Sequence, residues 1–271
     1  MCIRDRAYKA NVSDANQSGQ LTLAYKVARS VNAYATYATG FKSVGLNLNG
    51  VPTDASNQPV LSAATVKPED TRNVEVGLKT EPFRGVTANI SAYDTEIKNF
   101  QAQVTNGSVG VIRGYLANAE KARVRGAEFD GAARVGAHAS IYGAAAYTDG
   151  RYVTFKDAPP PLEDTGGPQF EDISGSLLPG ISKWALSLGG EYGRAATVFG
   201  RSGTLFGALD GSYRSSFSSS ASASRYLVVD GYSLLNGRVG FRRADGWSVF
   251  LWARNLPVSY THLTLPTILR V

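Results

Sequence analysis

The chain has 271 residues, 43% of them hydrophobic and 18% charged, a formal net charge of +6, and many Gly (29), Tyr (14) and Phe (11). No run of about 18 apolar residues occurs, so no transmembrane helix is available, and a mean hydropathy of -0.15 excludes a bundle of them. Low charge with many aromatics argues against disorder, which leaves an all-β protein of one large domain or two small ones.

The two ends do not share the pattern of the body. Met1-Cys2-Ile3-Arg4-Asp5-Arg6 holds the only Met and the only Cys, and the stretch from Pro257 to Val271 comes after an abrupt break. Both have the look of translated sequencing-adapter read-through, so residues 1–6 and 257–271 are expected to be non-native and are set apart from fold reasoning. The ends carry three Arg and one Asp, so the body, residues 7–256, keeps 25 basic against 21 acidic residues, a net charge of +4. It contains no Cys and a single His, His138. That excludes an ordinary zinc site. A Ser-His-Asp triad would have to use turn-like His138, and no Gly-x-Ser-x-Gly elbow leads a strand into a helix. No catalytic residue, metal site or cofactor is expected. Nucleic acid is not an expected partner either, since no basic patch with stacking aromatics is present.

Period-two alternation recurs through the body and predicts strands near 21–27, 31–40, 71–80, 85–104, 116–135, 138–149, 182–192, 203–214, 230–242 and 247–255. Val74, Val76 and Leu78 oppose Asn73, Glu75 and Lys79; Leu235, Val239 and Phe241 oppose Asn236, Arg238 and Arg242. The expected connections alternate in length. Short ones fall at 28–30, 81–84, 136–137, 193–202 and 243–246, and long ones at 41–70, 105–115, 150–181 and 215–229. In an up-and-down antiparallel sheet this sorting gathers the long loops at one end, as in outer-membrane barrels. A soluble sandwich with Greek-key crossovers has no such sorting.

Each strand has one modestly apolar face, rich in Ala, Gly, Val and Leu. Tyr93, Tyr147, Trp184, Tyr192, Tyr213 and Trp247 lie towards strand ends, where interfacial girdles belong. The opposite face carries Glu75, Lys79, Glu128, Asp130, Arg238 and Arg254, charges that a small packed core would not tolerate. They are candidates for a hydrated lumen wall; the competing reading is the exposed face of a soluble sheet. The 150–181 loop contains Pro159-Pro160-Pro161 and five acids, Asp157, Glu163, Asp164, Glu171 and Asp172. These are candidate extracellular-loop contacts, although a solvated loop explains them equally well. The Ser-rich 215–229 loop suggests mobility rather than a preformed site.

Four pieces in order carry a family resemblance. They are the strand from Ala33 to Lys42 ending in Gly40-Phe41-Lys42, and the segment Lys67-Pro68-Glu69 through Glu75-Val76-Gly77-Leu78-Lys79. The others are Asn118-Ala119-Glu120-Lys121-Ala122 through Gly126-Ala127-Glu128-Phe129, and Arg254-Asn255-Leu256. Together they span residues 21 to 256 and resemble the C-terminal half of the barrel domain of TonB-dependent outer-membrane receptors. The resemblance implies an antiparallel up-and-down transmembrane β-barrel fragment, about ten strands of an expected 22. Because unpaired edges do not persist in lipid, an open or incompletely closed sheet is expected of the isolated chain. The resemblance also implies an outer-membrane location in contact with membrane lipid. Implied partners are a plug domain and N-terminal half-barrel of an intact protein, an inner-membrane energy-coupling protein, and a scarce small-molecule ligand, most commonly a ferric siderophore. The activity implied is uptake and not enzymatic. The chain departs from the family in lacking the plug, the coupling box and the first half of the barrel, and in the residues after Leu256. A passive porin and a secreted soluble β-sheet binding protein remain alternatives.

Overall fold

Side chains that alternate along a strand give it two unlike faces, and strands joined by tight turns pair antiparallel. The computed structural model describes residues 11–47, 51, 58, 60–108, 111–164, 166–243 and 245–256, without the side chains of 106–108 and 111–113. The ends expected to be non-native, 1–6 and 257–271, lie outside these residues. The strands are β1 (Gly19–Ala28), β2 (Val31–Lys42), β3 (Gly45–Leu46), β4 (Thr65–Val66), β5 (Glu69–Phe83), β6 (Val86–Ser108) and β7 (Val111–Val135). They continue with β8 (Ala139–Thr154), β9 (Trp184–Val198), β10 (Arg201–Arg214), β11 (Phe217–Ser218), β12 (Val228–Val229), β13 (Tyr232–Arg243) and β14 (Ser248–Ala253). Ten of them form one sheet in the order β1-β2-β5-β6-β7-β8-β9-β10-β13-β14, all antiparallel. The pairs β3–β4 and β11–β12 are short ribbons within loops. Among the described residues β1 and β14 do not pair, so the sheet is open.

Two expected connections differ. The 105–115 stretch is not a long loop, because β6 and β7 stay paired as far as Ser108 opposite Val111. Beyond the rest of the sheet this ladder projects as a two-stranded arm. The 193–202 stretch is also mostly strand: β9 and β10 meet across Phe199 and Gly200, whose φ angles are 49° and 70°. Positive φ at both positions is the two-residue hairpin turn that matches strand twist. Length sorting survives both changes, since the arm and the segments 43–68, 155–183 and 215–231 all lie at one end.

Cα partners in adjacent strands present their side chains on the same face, so rows can be read across the ladders. One apolar row runs Leu23, Ala35, Val76, Ala92, Ala127, Tyr147, Trp184. The next runs Tyr25, Ala33, Leu78, Ile90, Phe129, Ala145, Leu186, Tyr213. Trp184 to Tyr192 on β9 spans nine residues, alternate ones on this face, the ~9–11 residues of a membrane-crossing strand. The rings of Tyr147 and Trp184 lie 5.0 Å apart at the long-loop end, with Tyr213 on the following strand. Tyr192 and Trp247 mark the turn end, where Trp247 meets Phe241 edge-on at 6.3 Å. Tyr93 is a correction. It stands on the polar face opposite Glu75 and shares a hydrogen bond of 3.1 Å with Thr148.

The main buried apolar cluster is not between sheets but at the long-loop end. There Ala102, Val104, Tyr115 and Ala119 of the arm pack with Tyr152 of β8 and with Phe155, Ile173, Leu178 and Ala221 from loops.

Candidate functional site

The polar face and the loop cap above it are the parts able to meet a ligand. On the polar face Glu75, Lys79, Glu128, Asp130 and Arg238 lie on the same side of β5, β7 and β13, as alternation requires. Most are held by neighbours. Tyr34 donates a 2.6 Å hydrogen bond to Glu75, and Lys79 stands 5.7 Å over the Tyr34 ring. Asn89 donates to Asp130 at 2.9 Å. Arg238 pairs with Glu191 at 2.8 Å, and Arg242 reaches the same carboxylate at 3.5 Å. Both guanidiniums lie over Phe206, at 6.0 and 4.6 Å. Arg254 comes just after the last residue of β14 and sits 4.9 Å over Trp252. The six are spread along the face. Glu191, Asp210 and Arg242 belong to the same surface, and the period-two pattern that selected Arg238 would have selected them.

The cap is assembled from both sides of the arm. Asn47, 4% exposed, is a clip: its side chain donates to the carbonyls of Ala63 (2.7 Å) and Leu116 (2.9 Å) and accepts the Leu116 N–H (2.7 Å). Gln101 does the same work nearby, giving its side-chain N–H groups to Ser43 and Lys67 while its own backbone N–H meets Glu69 at 2.6 Å. Asn47→Ala strands three half-buried groups, each costing at most about 1–3 kcal/mol when left without a partner. The expected result is faster amide exchange at Leu116 and through residues 43–66, with the sheet ladders unchanged.

On the arm's other side the Ser-rich segment is not a loose loop. Ser220, Ser222 and Ser224 are buried; Ser220 and Ser222 share a 3.0 Å hydrogen bond, and Ser224 donates to both Glu163 oxygens at 2.8 and 2.9 Å. Of the five loop acids, Glu163 is therefore a structural acceptor, and it also takes the Arg225 N–H at 3.0 Å. Asp172 accepts the Ser174 N–H at 2.9 Å. Glu171 pairs through its backbone with Ala158, Asp157 and Asp164 are exposed, and the prolines 159–161 are buried. The five do not converge: the described residues contain no group of three or more His, Cys, Asp or Glu placed to hold a metal ion.

Desolvation raises the Glu163 carboxyl, but hydrogen bonds from backbone N–H groups and Ser224 outweigh it and hold the group below its ordinary value. The Ser174 hydroxyl and N–H likewise hold Asp172 low. A depressed folded value means that the ionised group favours the folded loop. The contribution is full above the ordinary Glu value of about 4.3 and fades as pH falls through the lower folded one. Limited proteolysis within 155–183 and 215–231 should accelerate on acidification through that window. Glu163→Gln should show the fast cleavage already at neutral pH.

An open antiparallel meander with an aromatic-bounded apolar face and a charged opposite face is the wall of a transmembrane β-barrel. The chain belongs to the TonB dependent receptor-like β-barrel family, whose sequence profile matches residues 4–256, and is an outer-membrane protein. No curated protein matches it. It is similar in fold to the ferric yersiniabactin uptake receptor FyuA from Yersinia pestis, with 19% identity and a TM-score of 0.63 over 88% of this chain and 32% of that one. The siderophore receptor PiuA from Acinetobacter baumannii gives 18% identity and 0.62 over 88% and 31%. The copper transporter OprC gives 15% and 0.64 over 88% and 33%. The chain thus spans about a third of the length of these solved structures.

Proposed function

We propose that this chain forms part of the barrel wall of an outer-membrane receptor that actively takes up a scarce metal chelate. The apolar face meets lipid, and the polar face, with Glu75, Lys79, Glu128, Asp130, Arg238 and Arg254, lines a hydrated lumen occupied by a plug domain. The observation that carries the reading is the family match over a meander whose two faces differ in this way. A lumen wall of paired charges suits a plug, because each charge that a plug desolvates needs a partner. The cap built from 43–68, the arm, 155–183 and 215–231 would meet the ligand first, with Asp157, Asp164 and Asp172 as its exposed acids. The solved proteins of similar fold named above are a ferric yersiniabactin uptake receptor, a siderophore receptor and a copper transporter, and a ferric siderophore is the cargo proposed. Inner-membrane energy coupling would act through regions outside this chain.

The test is uptake of a labelled ferric siderophore by cells carrying the intact parent gene, with and without a protonophore. Uptake abolished by the protonophore supports active transport. Uptake that tracks the gradient and ignores the protonophore identifies a passive porin.

A further inference from the structure

The turn end of the sheet is uneven. β8 begins at Ala139, opposite Tyr192, whereas β9 runs on to Val198 and pairs there with β10 alone. Gly193 gives its N–H to the His138 carbonyl at 2.8 Å. In an antiparallel ladder alternate residues aim both backbone groups at the same neighbour, so Ala195 and Thr197 aim theirs past the end of β8. Both are exposed, and these N–H and C=O groups have no backbone partner among the described residues. Unequal strand lengths thus leave a free edge inside the sheet, separate from the outer edges at β1 and β14.

The hairpin that carries this edge is basic, with an apolar tip. No acid lies between Glu191 and Asp210. Arg194 and Arg201 stand on the same outward side as Tyr192 and Leu205. Salt bridges at this end join Arg238 and Arg242 to Glu191, and Arg243 to Asp245; Arg194 and Arg201 have none among the described residues. Phe199 at the tip is 100% exposed and holds a φ of 49°, where Asn or Gly is usual. Depth separates this hairpin from lipid. Tyr192 marks the interface, and Phe199 lies about 23 Å further along the strand, or about 17 Å deeper at the usual tilt. The headgroup layer is only about 5–8 Å thick.

We propose that the free edge of β9 is a docking site at which an acidic, extended segment of another polypeptide adds to the sheet as a strand. The turn end of an outer-membrane barrel is the periplasmic one, so the partner is a periplasmic chain. Main-chain hydrogen bonds to Ala195 and Thr197 supply affinity, and alternate side chains supply the choice of sequence. Arg194 and Arg201 repel a basic strand, including a second copy of this hairpin, and accept carboxylates as charge-assisted partners. Because both face outward, the segment comes from outside the barrel and not from a plug in the lumen. Phe199 offers it an apolar contact beside the charges. The site is separate from energy coupling, which would act through regions outside this chain. The inference rests on the outer-membrane placement and not on the uptake reading, so either can fail alone.

The test uses the intact parent receptor in detergent micelles and, as probe, a fluorescein-labelled peptide of alternating Glu and Val, read by anisotropy. Wild type should bind it and ignore the matching peptide of Lys and Val. Thr197→Pro removes an edge N–H without touching a bond to β10, so it should fold and lose the peptide. Arg194→Gln/Arg201→Gln covers the case in which the proline variant misfolds; it should weaken binding about tenfold, the loss of two exposed ion pairs. Arg29→Gln/Arg84→Gln, at two other turns of the same end, should keep wild-type binding. Unchanged affinity in Thr197→Pro, or equal losses in the two arginine variants, overturns the proposal. So does dimerisation of wild type that Thr197→Pro abolishes, which gives the edge to a second copy. Loss of the peptide on transfer to phosphatidylglycerol nanodiscs overturns it in favour of lipid.

Discussion

Leu188→Arg should destabilise the bilayer-inserted sheet by about 2–4 kcal/mol, the cost of a cation at the membrane midplane of a barrel strand. Leu188 stands midway between Trp184 and Tyr192 on the apolar face and is 69% exposed, so no protein packing competes with the lipid effect. Its neighbour Ser187 points to the polar face, opposite Ala144 and Ser212. Ser187→Arg should change stability by no more than about 0.5 kcal/mol, as a surface substitution does. Urea unfolding of the intact parent barrel from phosphatidylcholine vesicles, monitored by Trp fluorescence, measures both. Equal effects at the two positions would remove the assignment of the apolar face to lipid. In water without lipid the order should vanish, because an exposed Leu and an exposed Arg then differ little.

The second large effect is steric. Gly126 on β7 lies under the ladder to β8, where an added Cβ would come 2.2 Å from the Tyr147 carbonyl oxygen and 2.8 Å from the Tyr93 hydroxyl. A hydroxyl can swing away. A ladder carbonyl cannot move without breaking its own hydrogen bonds. Gly126→Val should therefore cost about 3 kcal/mol, the upper part of the usual overpacking range. Gly207→Ala is the comparison, since the nearest atom to its Cβ is 4.0 Å away. It should fold at wild-type urea concentrations; a similar loss at both sites would show that glycine matters here for backbone freedom and not for close approach.

Which side of each strand a residue occupies was legible from alternation, and this placed Glu75, Lys79, Glu128, Asp130 and Arg238 on one face. The sorting of short and long connections was legible too, and it survived although 105–108 and 111–115 proved to be strand. What the pattern does not encode is the partner. Glu163 reads as one more loop acid until Ser224, 61 residues later, is placed against it. Serines 220 to 224 read as mobile for the same reason, because their burial depends on contacts with another loop. Asn47 gives no local sign that it clips β7 at Leu116, 69 residues away.

The chain alone decided the ten strands of the main sheet, the two faces and the end at which the loops gather, because these come from backbone pleat and connection length, both local. Register and the packing of the cap belong to the tertiary structure. They depend on which residue of one strand stands opposite which residue of the next, and a period of two is satisfied equally by every second alignment.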